Sequence, residues 1–417
     1  LPKGAGYYRL SIAWPRIMPA GEGEVNAAGI AHYNALIDTL LANGIRPLVT
    51  LYHWDLPLAL EQKYGGWLNA EVMVGKFEDY ARVCFEAFGD RVQWWLTFNE
   101  PWSFIHHGYG VGLHPPGRCS DRSKCAEGDA DREPYIAAHT VLLAHAAAMD
   151  LYRREFAEDQ GGRVGITVNG DWAEPFDTAD PLDVEASGRF HEFQLGWFAD
   201  PAFFGDYPES MKKHVGDRLP SFTPEQSALF VANKPSFFGF NHYTSIYSAH
   251  YPEGDPTKLN GGGWDRDFAS ITGYVGKDGK LIGPVGESPW LHVAPWGFRK
   301  LLGWVYGRYQ TPIVVTENGF SVKGESNLPL AEALLDTTRV QYYSEYIAAM
   351  NDAVRAGEAD VLGYFAWSFM DNYEWQDGFG IRFGLTYVDY TNGLTRHPKA
   401  SAMWFTRLLA LYADRDR

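Results

Sequence analysis

Short apolar runs alternate along the chain with longer stretches of helical periodicity. YYRLSIAW (7–14), RPLVTLYH (46–53), VQWWLTF (92–98), RVGITVN (163–169), FFGFNHY (237–243), PIVVT (312–316) and VLGYFAW (361–367) each predict a strand. Between them, apolar residues recur at helical spacing over roughly 26–42, 70–88, 134–157, 183–199, 223–233, 295–309, 338–356 and 397–412. Strands that are apolar on both faces, alternating with amphipathic helices, imply a parallel sheet covered on both sides. The fold class is therefore α/β, a (β/α)8 TIM barrel. Seven strands are visible where a closed barrel needs eight. The first of them begins only a few residues in, so the first βα unit is expected to be missing. An open barrel leaves two sheet edges, which invite pairing with another chain. A homo-oligomer through that edge is one expectation. No linker, low-complexity tract or shift of composition divides residues 1–417, which read as one barrel domain. Residues 244–290, Gly-rich and aromatic, read as a long βα-loop insertion that holds a hairpin.

Of the 417 residues 46% are hydrophobic, enough for a large core, and the formal net charge is −16. That charge argues against nucleic acid, whose phosphates require a basic face, and against an anionic membrane surface. No apolar run reaches the roughly 18 residues of a membrane-spanning helix. Cys84 lies on an apolar helical stretch and reads as a buried thiol, whereas Cys119 and Cys125 bracket the polar loop RCSDRSKC. Such a loop closes as a disulfide if the backbone turns back on itself. A bridge there would point to an extracellular or secretory compartment. Metal binding is the alternative, although no His or third Cys lies close by.

The chemistry concentrates in two motifs. WWLTFNEP (94–101) delivers Glu100 and PIVVTENG (312–319) delivers Glu317, each at the end of a strand. In a parallel barrel the strand C-termini form the active-site face. Two carboxyls far apart in sequence can therefore meet across one mouth. Paired carboxylates suit glycoside hydrolysis, at about 5–5.5 Å apart for retention and about 6.5–9.5 Å for inversion. Other chemistries find no support. There is no G-x-S-x-G elbow and no phosphate-binding glycine loop. No strand ends in a Schiff-base Lys. The adjacent pair His106 and His107 does not make the three-ligand set of a catalytic zinc site. No metal and no cofactor is expected.

Six segments, in order, carry a resemblance. They are YRLSIAWPRI (8–17), LYHWDLP (51–57), TFNEP (97–101), FNHYTS (240–245), VTENG (315–319) and YFAWSFMDNYEWQDGFGIRFGLTYVDY (364–390). Through them the chain resembles glycoside hydrolase family 1, the β-glucosidase family, from about residue 7 to the C-terminus. The Cys-bracketed loop and the EPYIAAH…LLAHA stretch resemble plant-type and other eukaryotic members.

The resemblance implies a retaining exo-β-glycosidase acting on terminal β-D-glucosyl residues, and on β-galactosyl or β-fucosyl residues as extensions. It assigns Glu100 as acid/base and Glu317 as nucleophile, with Arg9, Tyr243 and Asn241 supporting the nucleophile. His53, Trp54, Asn99, Glu374 and Trp375 would hold sugar hydroxyls. Trp367 would be the stacking platform and Phe383 the adjoining wall. Trp102, Phe104, His107 and the 244–290 insertion would line the aglycone side. An acidic Glu374 disfavours 6-phosphosugars, and an acid at Glu100 points to O-glycosides. The partner is a β-glucoside or β-linked oligosaccharide. The competing reading, drawn from the missing first unit, is a catalytically impaired sugar-binding remnant.

Overall fold

The computed structural model describes residues 4–251 and 263–412. Seven parallel strands form its central sheet: β1 (Tyr7–Ser11), β2 (Arg46–Tyr52), β3 (Trp94–Asn99), β4 (Arg163–Asn169), β5 (Phe238–Asn241), β6 (Ile313–Asn318) and β7 (Val361–Ala366). They pair in sequence order from β1 to β7, every neighbour parallel. Each strand of the middle of the sheet is almost wholly buried, as a strand packed on both faces must be. The edge strands β1 and β7 are half-buried instead. The sheet is nonetheless curled nearly closed. Tyr8 of β1 meets Phe369, just past β7, edge to face at 5.8 Å. Among the described residues no strand pairs with the outer edge of β1 or β7, and a cleft of about 1450 Å³ lies between them.

Helices cover the outside. Helix α1 (Ala27–Ala42) starts at Asn26, whose side chain accepts from Ala28 N and so caps one orphan amide. Helix α2 (Ala70–Phe88) buries Met73, Phe77, Tyr80, Ala81, Cys84, Phe85 and Phe88, the stripe its periodicity predicts. It packs on the Ala-rich α3 (Glu133–Glu155). Tyr80 reaches in from α2 and donates to the carbonyls of Ile12 and Leu51 at the ends of β1 and β2. Helices α4 (Pro295–Tyr309), α5 (Thr337–Arg355) and α6 (Ala400–Tyr412) close the circuit beside β6 and β7. The 183–199 prediction resolves into helices at Pro181–His191 and Trp197–Phe204, joined by a π-turn over Glu192–Gly196.

Inside the barrel, Leu48, Leu96, Phe237 and Val314 form a separate apolar layer that plugs the floor. The interior becomes polar above it. Strict alternation from Leu96 would bring Phe98 inward and turn Asn99 out. The pairing of β3 with β4 slips between Leu96 and Asn99, so Asn99 faces the interior and Phe98 stacks on Phe77 of α2. The pairing of β5 with β6 slips likewise, Asn241 lying opposite Glu317. Bulges of this kind re-aim side chains at strand ends.

The 244–290 segment holds Ser245–His250 paired antiparallel with Ser270–Gly273. Ser245–His250 also runs parallel to Trp172–Pro175, a strand its sequence did not announce. Residues 252–262 of the segment lie outside the described residues.

Candidate active site

Glu100 follows β3 directly and precedes the short helix Pro101–Ile105 as its N-cap residue, with φ at +45°. A non-glycine residue in that region costs on the order of 1 kcal/mol, which the surrounding contacts must hold in place. Its amide donates to Thr167 O on β4, 2.9 Å away. The carboxyl is buried and receives two neutral donors, Asn241 Nδ2 at 2.7 Å and Ser103 Oγ at 2.7 Å. Burial, and then the charge of Glu317, push Glu100 up to about 8. An acid so placed keeps its proton at neutral pH.

Glu317 sits on β6 with a different set of partners. Arg9 Nη1 donates to Oε1 at 2.5 Å, and Tyr243 Oη donates to Oε2 at 2.6 Å. Arg9 reaches across the barrel from β1, also donating to Thr316 O at 3.3 Å and, through Nη2, to Asn99 Oδ1 at 2.6 Å. The glycine after Asn318 has a steric reason. A Cβ on Gly319 would fall 1.9 Å from Trp367 O.

Asn99 is fully engaged on its oxygen, which accepts from Arg9 and from Asn241 Nδ2 at 3.1 Å. Its Nδ2 lies 3.1 Å from His53 Nε2. Burial first, and the Arg9 charge second, hold His53 well below the usual imidazole range. A neutral His53 accepts that bond at Nε2 and keeps its proton on Nδ1. The ring of His53 lies between Trp367 at 6.1 Å and Trp375 at 5.9 Å. Glu374 is drawn up to about 7 by burial, then by Glu317, against a hydrogen bond from Trp367. Phe383 is buried edge-on to Tyr243, 6.1 Å away.

Three assignments change. Asn241 was expected to support the nucleophile, but it bonds Glu100 and Asn99 and accepts from Thr316 Oγ1 at 2.6 Å. Facing Asn99 across β4, it bonds Glu100 and makes no side-chain bond to Glu317 among the described residues. Phe104 was expected on the aglycone side. It is buried against Tyr52 at 5.2 Å, because the helix after Glu100 turns that position into the core. Trp54 was expected to hold sugar hydroxyls. Its Nε1 instead donates to Asn99 O at 2.9 Å, and its ring stacks on Trp375 at 4.3 Å, so it supports the site from behind.

Trp102 stacks on His106 at 4.8 Å and meets Trp264 at 5.1 Å. His107 lies 5.0 Å from His114, which bonds Gln376 at 2.7 Å. Asp265 stands 3.7 Å from His106 Nε2, and burial lifts it to about 7. Trp264 and Asp265 come from a short helix, Trp264–Asp267, inside the 244–290 insertion expected on this side, whereas His114 and Gln376 were not foreseen, since neither lies in a periodic stretch. Ser103 was missed too, since a serine three residues after a glutamate at a helix start reverses the order of a capping box and announces nothing. Cys119 and Cys125 form a disulfide with S–S 2.03 Å, and Cys84 is a buried thiol.

The chain matches the model of glycosyl hydrolase family 1 over residues 3–412. It is 49% identical to β-glucosidase 25 of Oryza sativa subsp. japonica, over 98% of this chain and 81% of that protein. It is 48% identical to β-glucosidase 1B of Phanerodontia chrysosporium, over 98% of this chain and 74% of that protein. Among solved structures, a β-glucosidase from the fungus Humicola insolens in complex with glucose superposes with a TM-score of 0.95 at 46% identity, over 99% of this chain and 86% of that one. A rice β-glucosidase mutant in a covalent complex with Glc superposes with a TM-score of 0.93 at 45% identity, covering 97% and 84%. With the family model spanning nearly its whole length, this chain belongs to glycosyl hydrolase family 1.

Proposed function

We propose that this chain hydrolyses terminal β-D-glucosyl residues with retention, Glu100 serving as acid/base and Glu317 as nucleophile. One observation carries the reading: the two buried carboxyls have opposite partners. Glu317 is paired with the Arg9 cation, while Glu100 has only neutral donors and is raised to about 8. A carboxyl kept protonated beside a carboxylate paired with a cation divides the acid role from the nucleophile's.

In the first step Glu100 passes its proton to the glycosidic oxygen as the bond from that oxygen to the anomeric carbon breaks. Glu317 forms a bond to the same carbon, and the alcohol leaves. The glycosylated Glu317 carries no charge, so one of the two causes that raise Glu100 is gone and its pKa falls. Glu100 then takes a proton from water, whose oxygen displaces Glu317. Two inversions give net retention. Tyr243 and Arg9 fix the plane of the attacking carboxylate. Asn99 Nδ2, His53, Glu374 and Trp375 are the groups available to sugar hydroxyls. The covalent glucose complex of the rice relative supports double displacement. No observation favours an impaired remnant, since acid/base, nucleophile and their partners are assembled together.

The test is hydrolysis of p-nitrophenyl β-D-glucoside, with the first-formed anomer read by NMR. The β-anomer is expected, along with a glucosyl adduct on Glu317 that accumulates in Glu100→Gln, where deglycosylation lacks its base. First-formed α-glucose, or an adduct on another residue, overturns the assignment.

A further inference from the structure

Six charged side chains that the chemistry does not use form a buried, charge-balanced network under the loops after β6 and β7. Arg339 is paired with Asp336 at 2.5 Å and with Glu325. Lys399 bridges Glu325 at 2.5 Å and Asp371 at 3.0 Å. Asp371 in turn binds Arg382 Nη1 at 2.5 Å. Three cations face three carboxylates, and none of the six is more than 7% exposed. A buried network of this size is weak evidence for stability, because desolvation offsets much of the attraction. Its place in the fold suggests another use.

The Asp371 carboxylate accepts four donors: Arg382 Nη1, Lys399 Nζ, Gly384 N at 3.0 Å and Val388 N at 3.2 Å. Asp371 lies three residues before Glu374, while Arg382 and Gly384 flank Phe383. One carboxylate thus ties both ends of the 371–384 loop that presents Glu374 and Trp375. The approach is close enough that a Cβ on Gly384 would fall 2.1 Å from Asp371 N. Away from this knot the loop is held through single side chains: Trp375 stacks on Trp54, Gln376 bonds His114, and Ser326 Oγ donates to Gly380 O. Its tip has internal turns such as Glu374 N to Gly378 O at 2.7 Å, and Tyr373 and Phe379 are more than half exposed. Arg339 Nη2 also donates to Arg382 O at 3.0 Å, and Arg339 Nε to Phe320 O at 2.9 Å. The loop beyond Glu317 and the loop bearing Glu374 are therefore fixed to one anchor.

We infer that Asp371 is a positioning residue for sugar recognition, acting through Glu374 by clamping both ends of its loop. The inference rests on the glycosidase reading above, in which Glu374 receives the far hydroxyls of the sugar. Without the Asp371 charge, Arg382 is left with Val388 O as its remaining hydrogen-bond partner among the described residues. The guanidinium also lies over the rings of Tyr387 at 4.0 Å and Tyr390 at 4.9 Å, but a buried cation without its counter-charge is strongly destabilised, and its displacement would move Phe383 and that end of the loop.

The experiment uses non-hydrolysed thioglycosides, so that binding is read apart from turnover. Affinities of p-nitrophenyl β-D-thioglucoside and β-D-thioxyloside, which lacks the hydroxymethyl group, are measured by calorimetry. The proteins are the parent, Asp371→Asn, Arg382→Lys, Glu374→Gln and the double variant of Asp371→Asn with Glu374→Gln. Arg382→Lys keeps a cation in place should Asp371→Asn fail to fold. Loss of the clamp is expected to weaken thioglucoside binding about 10-fold or more and thioxyloside binding about 3-fold or less. In the Glu374→Gln background the further loss is expected to be under about 2-fold, since residues acting as a unit are not additive. Equal losses on both sugars, or additive losses in the double variant, would make Asp371 a structural residue and overturn the inference. A parent that hydrolyses β-glucosides yet shows additivity sinks this inference alone. A parent that binds neither thioglycoside sinks the glycosidase reading with it.

Discussion

Arg9 binds Glu317 and Asn99 at once, with Nη1 2.5 Å from Glu317 Oε1 and Nη2 2.6 Å from Asn99 Oδ1. One guanidinium from β1 thus aligns Glu317 on β6, the proposed nucleophile, with the Asn99 amide on β3. A planar fork can do this, and a point charge cannot. Arg9→Lys keeps the charge but must give up one of the two partners. We expect kcat/KM for an aryl β-glucoside to fall about 100-fold, with a smaller change in thermal stability than Arg9→Ala produces. An Arg9→Lys enzyme within about 3-fold of the parent would show that the fork is dispensable.

Glu100 is raised to about 8, mainly by burial. The proposed role as acid requires the proton, so kcat/KM should fall as pH rises through about 8. The same shift has a stability counterpart. The folded state holds this proton more tightly than the unfolded chain, whose carboxyl titrates near its ordinary value of 4.5. The contribution is whole below about pH 4.5 and is lost as pH rises through about 8. Glu100→Gln never ionises, so its stability relative to the parent should improve between pH 5 and pH 9, by on the order of 2–5 kcal/mol. Urea denaturation at the two pH values measures this, and an unchanged difference would contradict it.

Ser103 donates to Glu100 Oε2 at 2.7 Å, and this bond lowers the Glu100 pKa. Ser103→Ala removes it and touches no other element of the site. The basic limb of the rate profile should move upward, by about one unit or less. A downward move would mean that Ser103 serves the protonated form.

The strand-helix order and both carboxylates were legible in the sequence because each rests on a local pattern. Buried runs such as IVVT announce a covered strand, and a glutamate followed by Pro or Gly announces its end. Two things were not legible. The register slips that turn Asn99 and Glu317 inward are pairings between distant segments, so no single segment records them. Asn241 was placed with the wrong carboxyl for the same reason: a strand end shows which residues reach the mouth, but not which neighbour each will face. Asp265 arrives from the far side of residues 252–262 and has no periodic context. Phe104 was misread because the short helix after Glu100 sets its direction, and FIHHGYG carries no clear helical signal.

The Cys119–Cys125 bridge closes a loop with a sequence separation of 6. By chain-entropy arithmetic so small a loop contributes about 2 kcal/mol. Replacing both cysteines with Ser should therefore lower stability by about that amount. Arg122 Nη1 donates to Cys119 O and Nη2 to Gly128 O, which hold the loop independently. Activity toward a small aryl glucoside is expected to stay within about 3-fold of the parent. A larger loss would tie the loop to the site.

Glu374 is raised to about 7 by burial and by the neighbouring charge of Glu317. Sugar hydroxyls donate most strongly to an ionised carboxylate. Below about pH 7 Glu374 is increasingly protonated and loses part of that acceptor strength. Thioglucoside affinity should therefore weaken several-fold from pH 8 to pH 6 in the parent. Glu374→Gln, which cannot titrate, should bind more weakly and with a flatter profile. Asp371→Asn adds a further check, because a displaced loop exposes Glu374 to water. Exposure removes the burial that raises its pKa, so the pH dependence should shift toward acid along with the loss of affinity. A parent profile flat across pH 5–8 would show that Glu374 does not receive the sugar as a carboxylate.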